Sequence, residues 1–237
     1  MNVLDIGIIL ILIMSLIIGF KQGIVKEVVS LIGLIAIFII AYIFKEELGN
    51  FLCKYLPFFT FTGSLKGLVS INILIYQLIA FLIIYSVLLS VYAIVLKLSG
   101  ILQKLVNLTI VLLLPSKLGG AIIAALKGYI TIFVVLLVLM IPLKDNALFT
   151  NSKLASAIIY KTPILSTCTE NITKPINEIY TLADEVSHKE ISTNEANLEI
   201  IDIMLKYKVV DKKTIEQLVI LDKLTEVKKI NSIIEKY

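Results

Sequence analysis

The feature that most constrains this chain is the junction at residues 19 to 27, Gly19-Phe20-Lys21-Gln22-Gly23-Ile24-Val25-Lys26-Glu27, which joins two long apolar runs. Residues 3 to 18 carry only Asp5, Ser15 and one glycine among aliphatic side chains, and residues 28 to 44 carry no charge. A hydrocarbon layer offers backbone groups no solvent partners, so two runs of this length joined by so short a turn predict an antiparallel helical hairpin across a bilayer. Composition agrees: 58% of the 237 residues are hydrophobic and 17% charged, and the mean hydropathy is +0.97. A water-soluble domain has no core large enough to hide that proportion.

Two further apolar stretches complete the pattern. The expected spans are about 2–19, 24–44, 71–97 and 118–142, giving an all-α polytopic membrane protein with four transmembrane helices and a C-terminal helical appendage. The charge distribution divides the chain near residue 143. Residues 1–142 hold nine lysines against four acids and residues 143–237 hold thirteen against fourteen. The expected organisation is therefore a four-helix transmembrane domain, 1–142, and a helical tail, 143–237, that serves as a small interaction module.

Short glycine spacings mark where helices can approach closely. The helix-packing candidates are Gly19 and Gly23 in the turn, Gly33 in the second helix, and Gly120, Ala124 and Gly128, four apart on one face of the fourth. For Gly19 and Gly23, turn chemistry alone is a sufficient account. The intramembrane polar candidates are Asp5, Gln77 and Lys127. Asp5 lies at a helix start, where the helix N-terminus favours a carboxylate. Gln77 suits either one interhelical hydrogen bond or a polar path. Lys127, within a span, must either reach toward the Lys117 side or pair with Asp5 or Glu27.

Connecting segments are expected at 45–70, with Phe58, Phe59 and Phe61 anchored in the interface, and at 100–114, read as an amphipathic surface helix stopped by Pro115. The tail predicts a short amphipathic segment at 152–160, helices at 176–188 and 196–207, a helix at 212–221 with Asp211 as N-cap, and a last helix capped by Thr225. Residues 187–197 read as a polar linker.

All 22 basic residues are lysine. Without arginine the chain lacks the planar fork suited to phosphate and base recognition, and the tail is slightly acidic, so no nucleic-acid partner is expected. Cys53 and Cys168 have no metal-ligand spacing, and His188 is the only histidine, so no metal, cofactor or catalytic set is expected. The expected partners are the lipid bilayer and a membrane protein or a second copy of the chain.

Asp5, then Gly19, Lys21, Gly23, Lys26 and Glu27, then Ser30 and Gly33, and later Leu118, Gly119, Lys127 and Gly128 together form a pattern that resembles the colicin V production protein family, over roughly residues 1–160. The resemblance implies a non-enzymatic multi-pass protein of the bacterial inner membrane, with a part in toxin or bacteriocin production or export and in envelope homeostasis. A small oligomeric transporter or channel is the alternative. Lysine counts on the two sides are five against five, and relatives fused to extracytoplasmic proteases imply a cytoplasmic first turn with the tail outside.

Overall fold

The computed structural model describes residues 2–105, 113–143, 146–162, 170–224 and 227–237. The described chain is helical without strands. Among the described residues four helices are long and apolar enough to cross a membrane: α1 (Val3–Gln22), α2 (Ile24–Tyr55), α3 (Ile71–Leu105) and α4 (Leu113–Leu143). Shorter helices follow as α5 (Ala147–Thr150), α6 (Lys153–Lys161), α7 (Glu170–Ser187), α8 (Thr193–Lys206), α9 (Lys212–Ile220) and α10 (Ile230–Ile234). They assemble into two compact units, each drawn from two stretches of chain: Met1–Ala41 with Tyr85–Ser166, and Tyr42–Ile84 with Thr167–Tyr237. The boundary near residue 143 marks a change of composition, whereas these units reflect contact.

In the first unit α1 and α4 pack at backbone distance. A Cβ placed on Gly19 would overlap the Gly120 backbone and Ala124, and one on Gly120 would lie 2.8 Å from the Gly23 Cα. Turn chemistry therefore does not account for Gly19, which is where the two helices touch. Gly23 does both jobs. As the single residue linking α1 to α2 it adopts φ +81°, a left-handed value that suits glycine, and its amide donates to the Gly19 carbonyl at 3.0 Å. Gly128 meets Ser15, and Gly33 leaves room for the Tyr92 ring. Tyr92 Oη donates to the Val29 carbonyl one turn before Gly33, at 3.2 Å.

Short α6 closes the unit by burying Ala155, Ile158 and Ile159 against α1 and α4. Asp5 is buried where these elements meet. Its carboxylate accepts from Ser152 Oγ at 2.5 Å, from Leu154 N at 3.1 Å and from Asn2 N at 3.2 Å. Ser152 caps α6 by accepting from Ala155 N, so one carboxylate serves the N-terminal ends of two helices.

The second unit is built on the last turns of α2 and the first turns of α3. Ile71, Ile73, Tyr76 and Phe81 are buried there, and α8 contributes Ile200, Ile201 and Met204. Asn197 ties the tail to the 63–70 loop. Its Oδ1 accepts from Ser70 N at 2.9 Å, and its Nδ2 donates to the Gly67 and Thr193 carbonyls, each at 2.9 Å. Ser192 and Glu195 form a capping box that starts α8, and the same bonds hold the Glu195 carboxyl below its ordinary range. Residues 193–197 are therefore helix, not linker, because the capping box and a buried asparagine order them. Tyr207 Oη donates to Glu178 at 2.5 Å, which ties α8 to α7 and pushes the phenol up.

Other boundaries also move. The segment expected as a loop from 45 begins as helix, since α2 runs on to Tyr55 on an apolar face that includes buried Cys53. Residues 100–105 belong to α3. Pro115, expected to stop the preceding segment, lies within α4. Helix α7 begins before Pro175. The rest of the 100–114 segment, residues 106–112, and the expected Thr225 cap lie outside the described residues.

Two glycine substitutions test the α1–α4 contact. Gly120→Leu is expected to cost several kcal/mol through overpacking, seen as loss of a monodisperse species in detergent. Gly7→Ala, where an added Cβ meets nothing within 4 Å, is expected to keep wild-type thermal stability.

Candidate functional site: a buried ion pair in the membrane domain

The small face of α4 fixes the direction of its neighbours. With Gly120, Ala124 and Gly128 against α1, Lys127 lies about 100° around the helix from Gly128 and serves a different neighbour. Helical side chains lean toward the N-terminus of their own helix. The Lys127 stem accordingly leads back toward the end of α4 that begins beside the turn. There it meets Glu27, in the first turn of α2. Lys127 Nζ lies 2.5 Å from Glu27 Oε2 and donates to Ser30 Oγ at 3.1 Å. The Glu27 side chain is 0% exposed and that of Lys127 24%. Both expected behaviours of the lysine thus occur in one geometry: it reaches back toward the α4 N-terminus, and it pairs.

Bringing a carboxylate and an ammonium into an apolar layer costs several kcal/mol each, and close pairing with added hydrogen bonds offsets that cost. Three groups supply the compensation here. Lys127 neutralises Glu27, Ser30 takes a second ammonium hydrogen, and the amide end of α2 adds its positive potential to the carboxylate. One position is left over, because Glu27 Oε1 has no hydrogen-bond partner among the described residues.

The other polar candidates are engaged elsewhere. Asp5 is bound by Ser152 and Leu154 and does not reach Lys127. Gln77, 2% exposed, donates from Nε2 to Asn50 Oδ1 at 3.1 Å within the second unit. It sits against Gly49, where a Cβ would come within 2.6 Å of the amide carbon. The three candidates therefore belong to three separate clusters. Sequence reasoning named Glu27 and Ser30 but passed over Ser152, Asn50 and Asn197. Ser152 had a visible signal, a serine directly before a helical pattern. The spacing of Ser192 and Glu195 was the available signal for the helix that carries Asn197. Asn50 had none.

A family model described as Colicin V production protein matches residues 4–163. The chain belongs to the colicin V production protein family. The matched region contains Glu27, Ser30 and Lys127, and also both ends of the Asp5–Ser152 bond, so the family segment includes the short helices α5 and α6 as well as the long ones. No curated protein and no solved structure matches the chain.

In this family member, breaking one side of the pair is expected to be worse than removing both. Lys127→Met alone leaves a buried carboxylate uncompensated, for a loss on the order of 3 kcal/mol. Adding Glu27→Gln should restore much of the thermal stability in detergent. Equal destabilisation by the single and double variants would show that the two side chains are not coupled.

Proposed function

We propose that this family member is a non-enzymatic accessory or scaffold protein of the bacterial cytoplasmic membrane, acting in the production or export of a peptide toxin and in envelope maintenance. The observation that carries this reading is the separate engagement of its polar groups. A permeation path needs polar side chains that converge, whereas Asp5, Gln77 and Lys127 are each spent on bracing a different junction. The small face of α4 is occupied by the chain's own α1. Contacts with a membrane partner or a second copy then fall to outward apolar residues such as Val25, Ile32, Val87 and Ile122, each more than half exposed, and to the helical tail. With the first turn in the cytoplasm, the tail acts outside.

The second reading, a small oligomeric transporter, draws on one observation, the unpartnered oxygen of buried Glu27 beside a lysine. Flux in liposomes separates the two. Under the scaffold reading, reconstituted protein is expected to conduct no more protons or small solutes than empty liposomes. Measurable flux in the wild type that Lys127→Leu abolishes would sink it in favour of the transporter.

A further inference from the structure

Helix α3 changes its surroundings within one turn. None of residues 71–81 is exposed, and Ile71, Ile73, Tyr76, Ala80 and Phe81 are at most 7% accessible, all of them inside the second unit. From Leu82 onward apolar side chains open outward, with Ile83 at 44% and Val91 at 52%. Hydropathy registers no such change, and it makes Ile71–Val95 one span with Ile83 at its centre.

The far end of α2 is tied to the tail at two points. Asp211 N donates to Glu46 Oε1 at 3.0 Å, and Lys223 Nζ donates to the Leu56 carbonyl at 2.9 Å. Between these ties the tail carries Lys213, Glu216 and Asp222, all exposed, and α2 itself exposes Glu47 and Lys54. A hydrocarbon layer does not hold exposed charges at this density. We propose that the hydrocarbon ends at residues 42–45 on α2 and 82–85 on α3, so that the second unit is a water-facing module built jointly from the tail and the ends of two spanning helices.

Length agrees. With 32 and 35 residues, α2 and α3 are about 48 and 52 Å long, well beyond a hydrocarbon thickness of about 30 Å. Residues 24–44 alone give about 31 Å and residues 82–105 about 36 Å, which fit with a modest tilt. The crossing points have the chemistry of the headgroup layer. Tyr42 stands at one, with Lys45 Nζ 4.9 Å from its ring centroid, and half-buried Tyr85 at the other; tyrosine and lysine are side chains that settle at membrane interfaces. A partner of this module is then met in water at the membrane surface, whether the protein acts as a scaffold or as a transporter.

The chain has no tryptophan, so one introduced indole reports its own depth. The experiment places the full-length variants Ile83→Trp, Val91→Trp and Phe51→Trp in phosphatidylethanolamine–phosphatidylglycerol liposomes containing lipids brominated either high on the acyl chain or near its end, with iodide on both faces. Val91 lies about 12 Å further along α3 than Ile83, so Val91→Trp is expected to be quenched most by the deep bromines and Ile83→Trp by the shallow ones. Phe51→Trp is expected to be quenched by iodide and by neither lipid. Leu82→Trp replaces Ile83→Trp if the latter is not monodisperse. Strongest quenching of the 82–83 position by the deep bromines would place it at mid-span and overturn the proposal. So would quenching of Phe51→Trp by either brominated lipid, or its protection from iodide, because lipid or a second copy would then cover that end of α2.

Discussion

The contact between α1 and α4 sets the terms for the membrane domain. At Gly19 and Gly120 the helices approach until backbone meets backbone, and this fixes their relative rotation more tightly than interlocking side chains could. Lipid tails are as apolar as leucine, so helices in a bilayer gain little from hydrophobicity and depend on such close packing. Once Gly128 is seated against Ser15, Lys127 is turned away from α1, and the partner it then finds is Glu27. The same contact brings the chain after α4 back to the start of α1, where Asp5 receives α6.

The long spans were legible because twenty apolar residues have few alternatives in water, and the small-residue rows were legible because their spacing is regular. Partner choice was not. Lys127 had two candidate acids in sequence, and only the rotation imposed by the glycine face separates Glu27 from Asp5. The ends of α2 and α3 were misplaced for a related reason. Hydropathy falls at Lys45 and Glu46, but the helix continues because its next turns pack against protein. Conversely, Ile71 to Phe81 read as span although many of those side chains are covered by protein in the second unit. Hydropathy reports how apolar a segment is, and does not distinguish lipid from a protein core as the covering.

The tail illustrates the same limit at lower hydropathy. Its helices were visible from their periodicity, but Asn197 sat in a stretch whose composition suggested a linker. A buried asparagine with both amide ends engaged is a specific device, because the Ser70 amide depends on it for an acceptor while its own NH2 binds carbonyls of both segments. It makes the 63–70 loop and α8 parts of one structure, which no local pattern announces.

The wide sequence separation of the paired groups has a consequence for synthesis. Glu27 is made 100 residues before Lys127, and Asp5 is made 147 before Ser152. At about 5–20 residues per second, Glu27 waits roughly 5 to 20 s for its counter-charge. During that interval the nascent hairpin holds an acid without the ammonium that accompanies it in the finished fold. Until α4 is seated, Glu27 lacks Lys127 and Asp5 lacks Ser152 and Leu154, so the last parts of the membrane domain to be made supply the partners of its first acids.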